Sequence, residues 1–214
     1  MYKNQNNNSQ LETEITDRRQ IVPPMPPSVP VAGNRLTRWV GRKLLALAGW
    51  RLEGEFPDEP KIVIAAAPHT SNWDFVVAML AIMALGVRVS YLMKKEAFIW
   101  PFGKLFMWLG GIPLDRSSTE DTVQQIISWY DTHDQVWVVI TPEGTRAKVE
   151  NWKTGFLRVV EGAKVPLLLV AWDYPGKTIV LDRIWSTTGD HVVDAEAIRN
   201  YINSKYQGRI PENQ

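Results

Sequence analysis

The segment Ala67-Pro68-His69-Thr70-Ser71-Asn72-Trp73-Asp74-Phe75 carries the residue types needed for proton transfer. An imidazole held by a carboxylate is fixed in tautomer and orientation, and the imidazolium that forms on protonation is stabilised. A general base needs both to take a proton from a hydroxyl. Residues five apart in a continuous helix point about 140° away from each other. His69 and Asp74 therefore meet only where His69 lies in a loop and Asp74 in the first turn of the following helix. The Thr70-Ser71-Asn72 run supplies N-capping residues for such a corner. Taken alone, the pair also reads as two satisfied loop residues.

Two further segments set charge beside glycine. Gly110-Gly111-Ile112-Pro113-Leu114-Asp115-Arg116 places a cation after a turn-forming apolar stretch. Val138-Val139-Ile140-Thr141-Pro142-Glu143-Gly144-Thr145-Arg146 runs from a strand into a loop with a carboxylate, a glycine and an arginine. Arginine is the natural bidentate partner of phosphate, and glycine permits close backbone approach. Each arginine alone also reads as a surface salt bridge. Without cysteine there is no cysteine nucleophile, thiolate metal site or disulfide. His69, His133 and His191 show no metal-ligand spacing, so no metal is expected. His133 reads as an exposed turn residue, and His191 has no motif around it. A hydrolase built on Ser71 is disfavoured because no G-x-S-x-G elbow occurs.

Taken in order, H-x-x-x-x-D from His69, G-x-P-L-D-R ending at Arg116, P-E-G-T-R ending at Arg146, and Val165-Pro166-Leu167-Leu168-Leu169-Val170 resemble the four ordered blocks of the glycerolipid acyltransferase family, the 1-acylglycerol-3-phosphate acyltransferases. The match runs from about Leu44 to Trp172, and Trp152-Lys153-Thr154-Gly155-Phe156 looks like the segment this family carries after P-E-G-T-R. The resemblance implies a glycerol-3-phosphate acyltransferase-like fold and transfer of a fatty acyl group from acyl-CoA or acyl carrier protein to lysophosphatidic acid, giving phosphatidic acid. It implies His69 as general base and Asp74 as its orienting partner, with no covalent acyl-enzyme and no cofactor beyond the acyl thioester co-substrate. By the same carry-over Arg116, Glu143, Gly144, Thr145 and Arg146 shape the acceptor site, the arginines facing its phosphate, and the block around Pro166 supports the acyl chain. Backbone N–H groups at the start of the helix after His69 are the expected oxyanion donors. Pro68 stands where many phosphatidic-acid-forming members have Asn, so another lyso-lipid or amphiphilic acceptor stays open, as does a non-catalytic lipid-binding scaffold.

The elements that must position these residues alternate. Lys61 to Ala67, Val87 to Met93, Val136 to Ile140 and Val165 to Trp172 read as strands. Phe75 to Leu85, Asp121 to Tyr130 and Phe156 to Gly162 read as helices between them. A turn and strand follow over 176–189, then a helix from Ala195 to Tyr206. Such alternation predicts an α/β single domain with a mainly parallel central sheet flanked by helices. The domain is expected over 33–208, after a disordered polar and Pro-rich tail at 1–32 and before a frayed tail at 209–214.

From Leu36 to Trp50, Leu36, Trp39, Val40, Leu44, Leu47 and Trp50 fall on one helical face, with Arg35, Arg38 and Arg42 opposite. This basic amphipathic helix suits a membrane surface, arginines near lipid phosphates, or equally the protein's own core. Lys94 and Lys95 read as a solvated loop pair within reach of an anionic ligand. The longest apolar run, Phe75 to Val87, is short of the roughly 18 to 20 residues that span a bilayer, and the N-terminus lacks a secretory signal. A cytoplasmic protein, peripheral on the inner face of the cell membrane, is expected. A net charge of +1 gives no reason to expect a nucleic-acid partner.

Overall fold

Residues Ile62 to Ala67 are apolar and buried on both faces, the pattern of a strand at the middle of a sheet covered on two sides. The computed structural model describes residues 23–99, 102–114 and 119–214, and in it this strand, β2 (Lys61–Ala67), is central. It pairs in parallel with β5 (Val136–Ile140) on one side and β6 (Leu167–Asp173) on the other. With β1 (Arg51–Gly54), β3 (Ser90–Lys94), β4 (Gly111–Leu114) and β7 (Thr178–Trp185), the sheet runs β1-β7-β6-β2-β5-β3-β4 among the described residues. Only the β6–β7 hairpin is antiparallel within that order.

Alternate residues of β2 feed two cores. Ile62, Ile64 and Ala66 face a layer that contains α1 (Arg35–Leu47) and α2 (Asn72–Leu85). Val63, Ala65 and Ala67 face α4 (Thr119–Thr132), α5 (Gly155–Ala163) and α6 (His191–Lys205). The short α3 (Phe102–Trp108) leads into β4. The expected α/β architecture with a mainly parallel sheet is therefore present, with strand–helix alternation carrying the central strands. Because β2 and β5 are parallel neighbours, the loops that leave them, holding His69 and Glu143, emerge at the same edge of the sheet.

Three elements, β1, β4 and α3, escape the periodicity. β1 and β4 are four-residue edge strands, too short to show alternation, and β4 contains Pro113, which an edge strand tolerates because one side of its backbone needs no ladder partner. β3 starts at Ser90 rather than Val87; Val87 instead bridges Val31.

The proline-rich segment corrects the boundary drawn at residue 32. Val29 is fully buried, Arg88 N–H donates to Pro30 O at 2.8 Å and Ala32 N–H donates to Gly86 O at 2.8 Å, so residues 29–32 are packed into the domain. Residues 1–22 of that tail lie outside the described residues. The tail at 209–214 is not frayed either: it forms a turn of 3-10 helix, Pro211–Asn213, and bonds to the His69 loop.

The face that α1 buries is not its apolar stripe. Gly41 and Leu45 are its buried residues, and a Cβ at position 41 would come within 2.4 Å of the Ala84 backbone nitrogen, so Gly41 is what lets the two helices approach. Leu36, Trp39 and Leu47 remain 66%, 58% and 83% exposed. Arg42 donates to Ala84 O at 3.1 Å, and Arg38 lies against Gly86, so both sit at the carbonyl end of α2. A cation there opposes the helix dipole, and Arg42 also satisfies a terminal carbonyl, so the end of α2 gives these arginines a structural partner other than lipid phosphate. No described helix is long and apolar enough to cross a membrane.

Candidate active site

The chain leaves β2 at Ala67, turns through Pro68 and His69, and enters α2 at Asn72. Ser71 is the N-cap and Asp74 the third helical residue, and the two form a reciprocal capping box. Asp74 is completely buried. Its Oδ2 accepts from Thr70 N–H and Ser71 N–H, both at 2.8 Å, and lies 3.0 Å from His69 Nδ1. Its Oδ1 accepts from the Tyr174 hydroxyl at 2.6 Å. Burial pushes the Asp74 carboxyl up, but the hydrogen bonds from His69, Tyr174 and Ser71, with the His69 charge, outweigh it and hold the group below its ordinary value. It is an anion that fixes His69 with Nδ1 turned inward, leaving Nε2 to meet a substrate.

The second motif braces this loop from the neighbouring strand. Glu143 is buried, and its Oε1 accepts from His69 N–H at 2.9 Å, while Oε2 is buried without a protein partner. Burial raises its pKa to about 7, against the opposing pull of the His69 N–H bond. Glu143, expected to shape the acceptor site, is thus seen to brace the His69 loop. Gly144 follows with φ of 65°. A Cβ there would meet Lys153 Cε at 2.9 Å, so glycine makes room for the Lys153 side chain. Thr145 is exposed and its hydroxyl accepts from Ala147 N–H at 3.3 Å. Arg146 is exposed on the same loop with no ion pair to a described residue. Arg116 lies outside the described residues.

His69 stands at the wall of a cavity of about 600 Å³. On α2 it is lined by Phe75, Ala78 and Ile82, on the sheet by Ile64, Ala66 and Trp137, and further along by Leu52, Phe56 and Leu181. Phe75 to Ile82 alone spans about 10 Å of helix. The lining is mostly apolar, and its polar side chains besides His69 are Tyr91, Thr122, Thr141 and Lys153. Val170 and Trp172 of β6 also line it, and the Trp172 ring lies 6.0 Å from the imidazole, centroid to centroid. Pro166, by contrast, sits at the opposite end of β6, where its carbonyl accepts from Val63 N–H. The arrangement is a part-buried imidazole held by a buried carboxylate, beside a long apolar slot that Lys153 also lines.

A profile of the acyltransferase family matches residues 51–172, from β1 to the end of the cavity-lining part of β6. The chain belongs to the acyltransferase family. Among solved structures, this acyltransferase is similar to the crystal structure of the 1-acyl-sn-glycerophosphate (LPA) acyltransferase PlsC from Thermotoga maritima, with a TM-score of 0.56 and 14% identity over 80% of this chain and 78% of that one. At that identity the likeness is one of fold. No curated protein matches the sequence significantly.

Several sequence expectations change at this site. Three of the amides around the start of α2 are already committed: Thr70 and Ser71 N–H are spent on Asp74, and Trp73 N–H on the Ser71 hydroxyl at 3.0 Å. Ser71 is therefore the helix cap. Lys95 is exposed, in the 3-10 turn Lys95–Ala97, and Lys94 ends β3. His133 is the exposed turn residue expected, stacked on Trp129; His191 faces Glu161 at 2.9 Å. Among the described residues no cluster of histidine and carboxylate side chains could hold a metal.

Tyr174 and the C-terminal segment went unnoticed in the sequence. Tyr174 lies in the β6–β7 turn, and its N–H donates to Gln207 O at 3.0 Å. Ile210 N–H donates to Thr70 Oγ1 at 3.2 Å, and the Arg209 guanidinium lies over the Trp73 ring at 5.1 Å. The one local signal available was the S-x-x-D spacing of Ser71 and Asp74, which marks a capping box.

Glu143 ties stability to pH. Its folded pKa of about 7 lies above the model-compound value of 4.5, so it contributes most below 4.5 and the contribution is lost as pH rises through 7. Between pH 5 and 8 the acyltransferase should lose on the order of 2 to 3 kcal/mol from this group. Glu143→Gln keeps an oxygen for His69 N–H and removes the titration. Urea denaturation at both pH values should show the wild-type loss sharply reduced in the variant; an unchanged difference would contradict the assignment.

Proposed function

We propose that this acyltransferase moves a fatty acyl group from acyl-CoA or acyl carrier protein to the free hydroxyl of 1-acylglycerol-3-phosphate at a membrane surface, forming phosphatidic acid. The observation that carries this reading is the position of His69: Nδ1 is held by a buried carboxylate, and the ring forms part of the wall of a long apolar cavity with Lys153 at its polar end. A fatty chain fits the apolar length, and Lys153 with the exposed Arg146 supplies charge for a phosphate. The fold shared with a protein named as an LPA acyltransferase supports the same acceptor.

In this mechanism His69 Nε2 takes the proton of the acceptor hydroxyl as its oxygen attacks the thioester carbonyl. The C–O bond forms and the carbonyl electrons move onto oxygen. Collapse of the tetrahedral intermediate breaks the C–S bond, and the proton on His69 passes to the departing thiolate. The products are an ester and a free thiol, and Asp74 stabilises the transient imidazolium throughout. Ser71, committed to the helix cap, takes no part.

The exposed stripe of α1 provides the contact with the membrane. Trp39, Leu36 and Leu47 face away from the helix that α1 packs on, and Trp73 and Val76 at the start of α2 are 55% and 42% exposed. Such a surface supports peripheral attachment, and the cytoplasmic face is the side proposed.

Acyl transfer should be measured with a panel of thioesters against lysophosphatidic acid, a lysophospholipid and an uncharged acceptor. Wild type should prefer lysophosphatidic acid, and His69→Ala should lose a factor on the order of 10³. Preference for another acceptor would overturn the substrate, and retained activity in the variant would overturn the base. Separately, Trp39→Asp combined with Leu47→Asp should abolish sedimentation with anionic vesicles while leaving turnover of a short-chain soluble acceptor unchanged. Undiminished vesicle binding would show that α1 is not the contact.

A further inference from the structure

Asp74 has two carboxylate oxygens, and they are divided between different parts of the fold. Oδ2 serves the catalytic loop, through His69, Thr70 and Ser71. Oδ1 accepts the Tyr174 hydroxyl at 2.6 Å, across a hundred residues of sequence. That distance is in the range of charge-assisted bonds from a hydroxyl to a carboxylate. Tyr174 is held on both sides: its ring meets the Trp50 ring edge-on at 4.9 Å, and its backbone N–H is fixed to Gln207 O. Burial and the Asp74 carboxylate both push the Tyr174 phenol well above its ordinary value, so it stays a donor.

We propose that Tyr174 is a positioning residue for the acyl-transfer reaction, which through Oδ1 holds the Asp74 carboxylate in the plane that His69 Nδ1 requires and takes up part of its negative charge. A carboxylate bonded on one oxygen alone can rotate about its Cβ–Cγ bond and carry His69 with it. With Oδ1 anchored to the β6–β7 turn and Oδ2 to the start of α2, that rotation is blocked. Sharing the charge also weakens the pull of Asp74 on the His69 proton, so that the imidazolium gives it up more readily to the leaving thiolate. Among the described residues, Glu143, from the loop after β5, and Arg209, from the C-terminal segment, are the other ionisable groups around this cluster. Both stay unchanged in the variants below.

The test uses the full chain. Tyr174→Phe removes the hydroxyl and keeps the ring against Trp50. The His69 imidazole, followed by nitrogen-detected NMR, should titrate roughly half a pH unit or more higher than in wild type, because the carboxylate charge is then concentrated on His69. Incorporating 3-fluorotyrosine at position 174 keeps the shape, strengthens the donor and should move the titration the other way. This arm requires no substrate and stands apart from the functional reading above. In the kinetic arm, which rests on that reading, Tyr174→Phe should lower kcat about tenfold with KM for both substrates within twofold, and move the acid limb of the rate profile with the His69 titration. A His69 titration unmoved by both replacements would overturn the proposal, even where Tyr174→Phe lowers the melting temperature, since that combination is the mark of packing alone.

Discussion

A single buried carboxylate organises the end of the sheet where the two motif loops meet. Placing an unpaired anion in a protein interior costs several kcal/mol, and a charge as deeply enclosed as Asp74 persists only when donors surround it. Four do: the His69 ring, the Thr70 and Ser71 amides and the Tyr174 hydroxyl. Each comes from a segment whose path is fixed by something else. His69 is tied by its own N–H to Glu143 at the end of the adjacent strand, Thr70 to the C-terminal segment, Ser71 to the first turn of α2, and Tyr174 to Trp50. The central parallel pair β2–β5 makes this convergence available, because both motif loops leave the sheet at one edge.

The same edge joins the polar and apolar halves of the site. His69 lies where the β2–α2 corner opens onto a cavity floored by the sheet and roofed by α2, with Lys153 at the polar end and Phe75, Ala78 and Ile82 along the apolar wall. Gly144 matters here for its lack of a side chain, since any Cβ would displace Lys153. The proposed ester-forming step needs a base, a place for the chain and charge for the headgroup within one reach, and the groups proposed for these three lie on two neighbouring loops and one helix.

Much of this was legible in the sequence where local chemistry and tertiary packing agree. The strand at 61–67 and the helix after it are fixed by apolar content and a capping run, and the need for His69 in a loop and Asp74 in the first helical turn follows from helical geometry alone. The P-E-G-T-R motif located Glu143 beside the site, but its bond to His69 N–H depends on strand order, which periodicity does not encode. Tyr174 and the Thr70-bound tail were illegible for the same reason: their partners are 100 and 140 residues away. The amphipathic pattern of α1 was plain, yet which face is buried depended on Gly41, a residue that amphipathic analysis counts as neutral. The edge strands β1 and β4 were too short to register.

The most direct test of Asp74 as the holder of His69 is the turnover of Asp74→Asn. The amide keeps the size of the side chain but carries no charge, and it presents either a donor or an acceptor to Nδ1 where an anion stood. With the fold verified by circular dichroism and lipid binding retained, acyl transfer should fall by roughly a thousandfold or more, because His69 loses both its fixed tautomer and the charge that stabilises its imidazolium. A folded Asp74→Asn protein that keeps more than about a tenth of wild-type turnover would contradict the account.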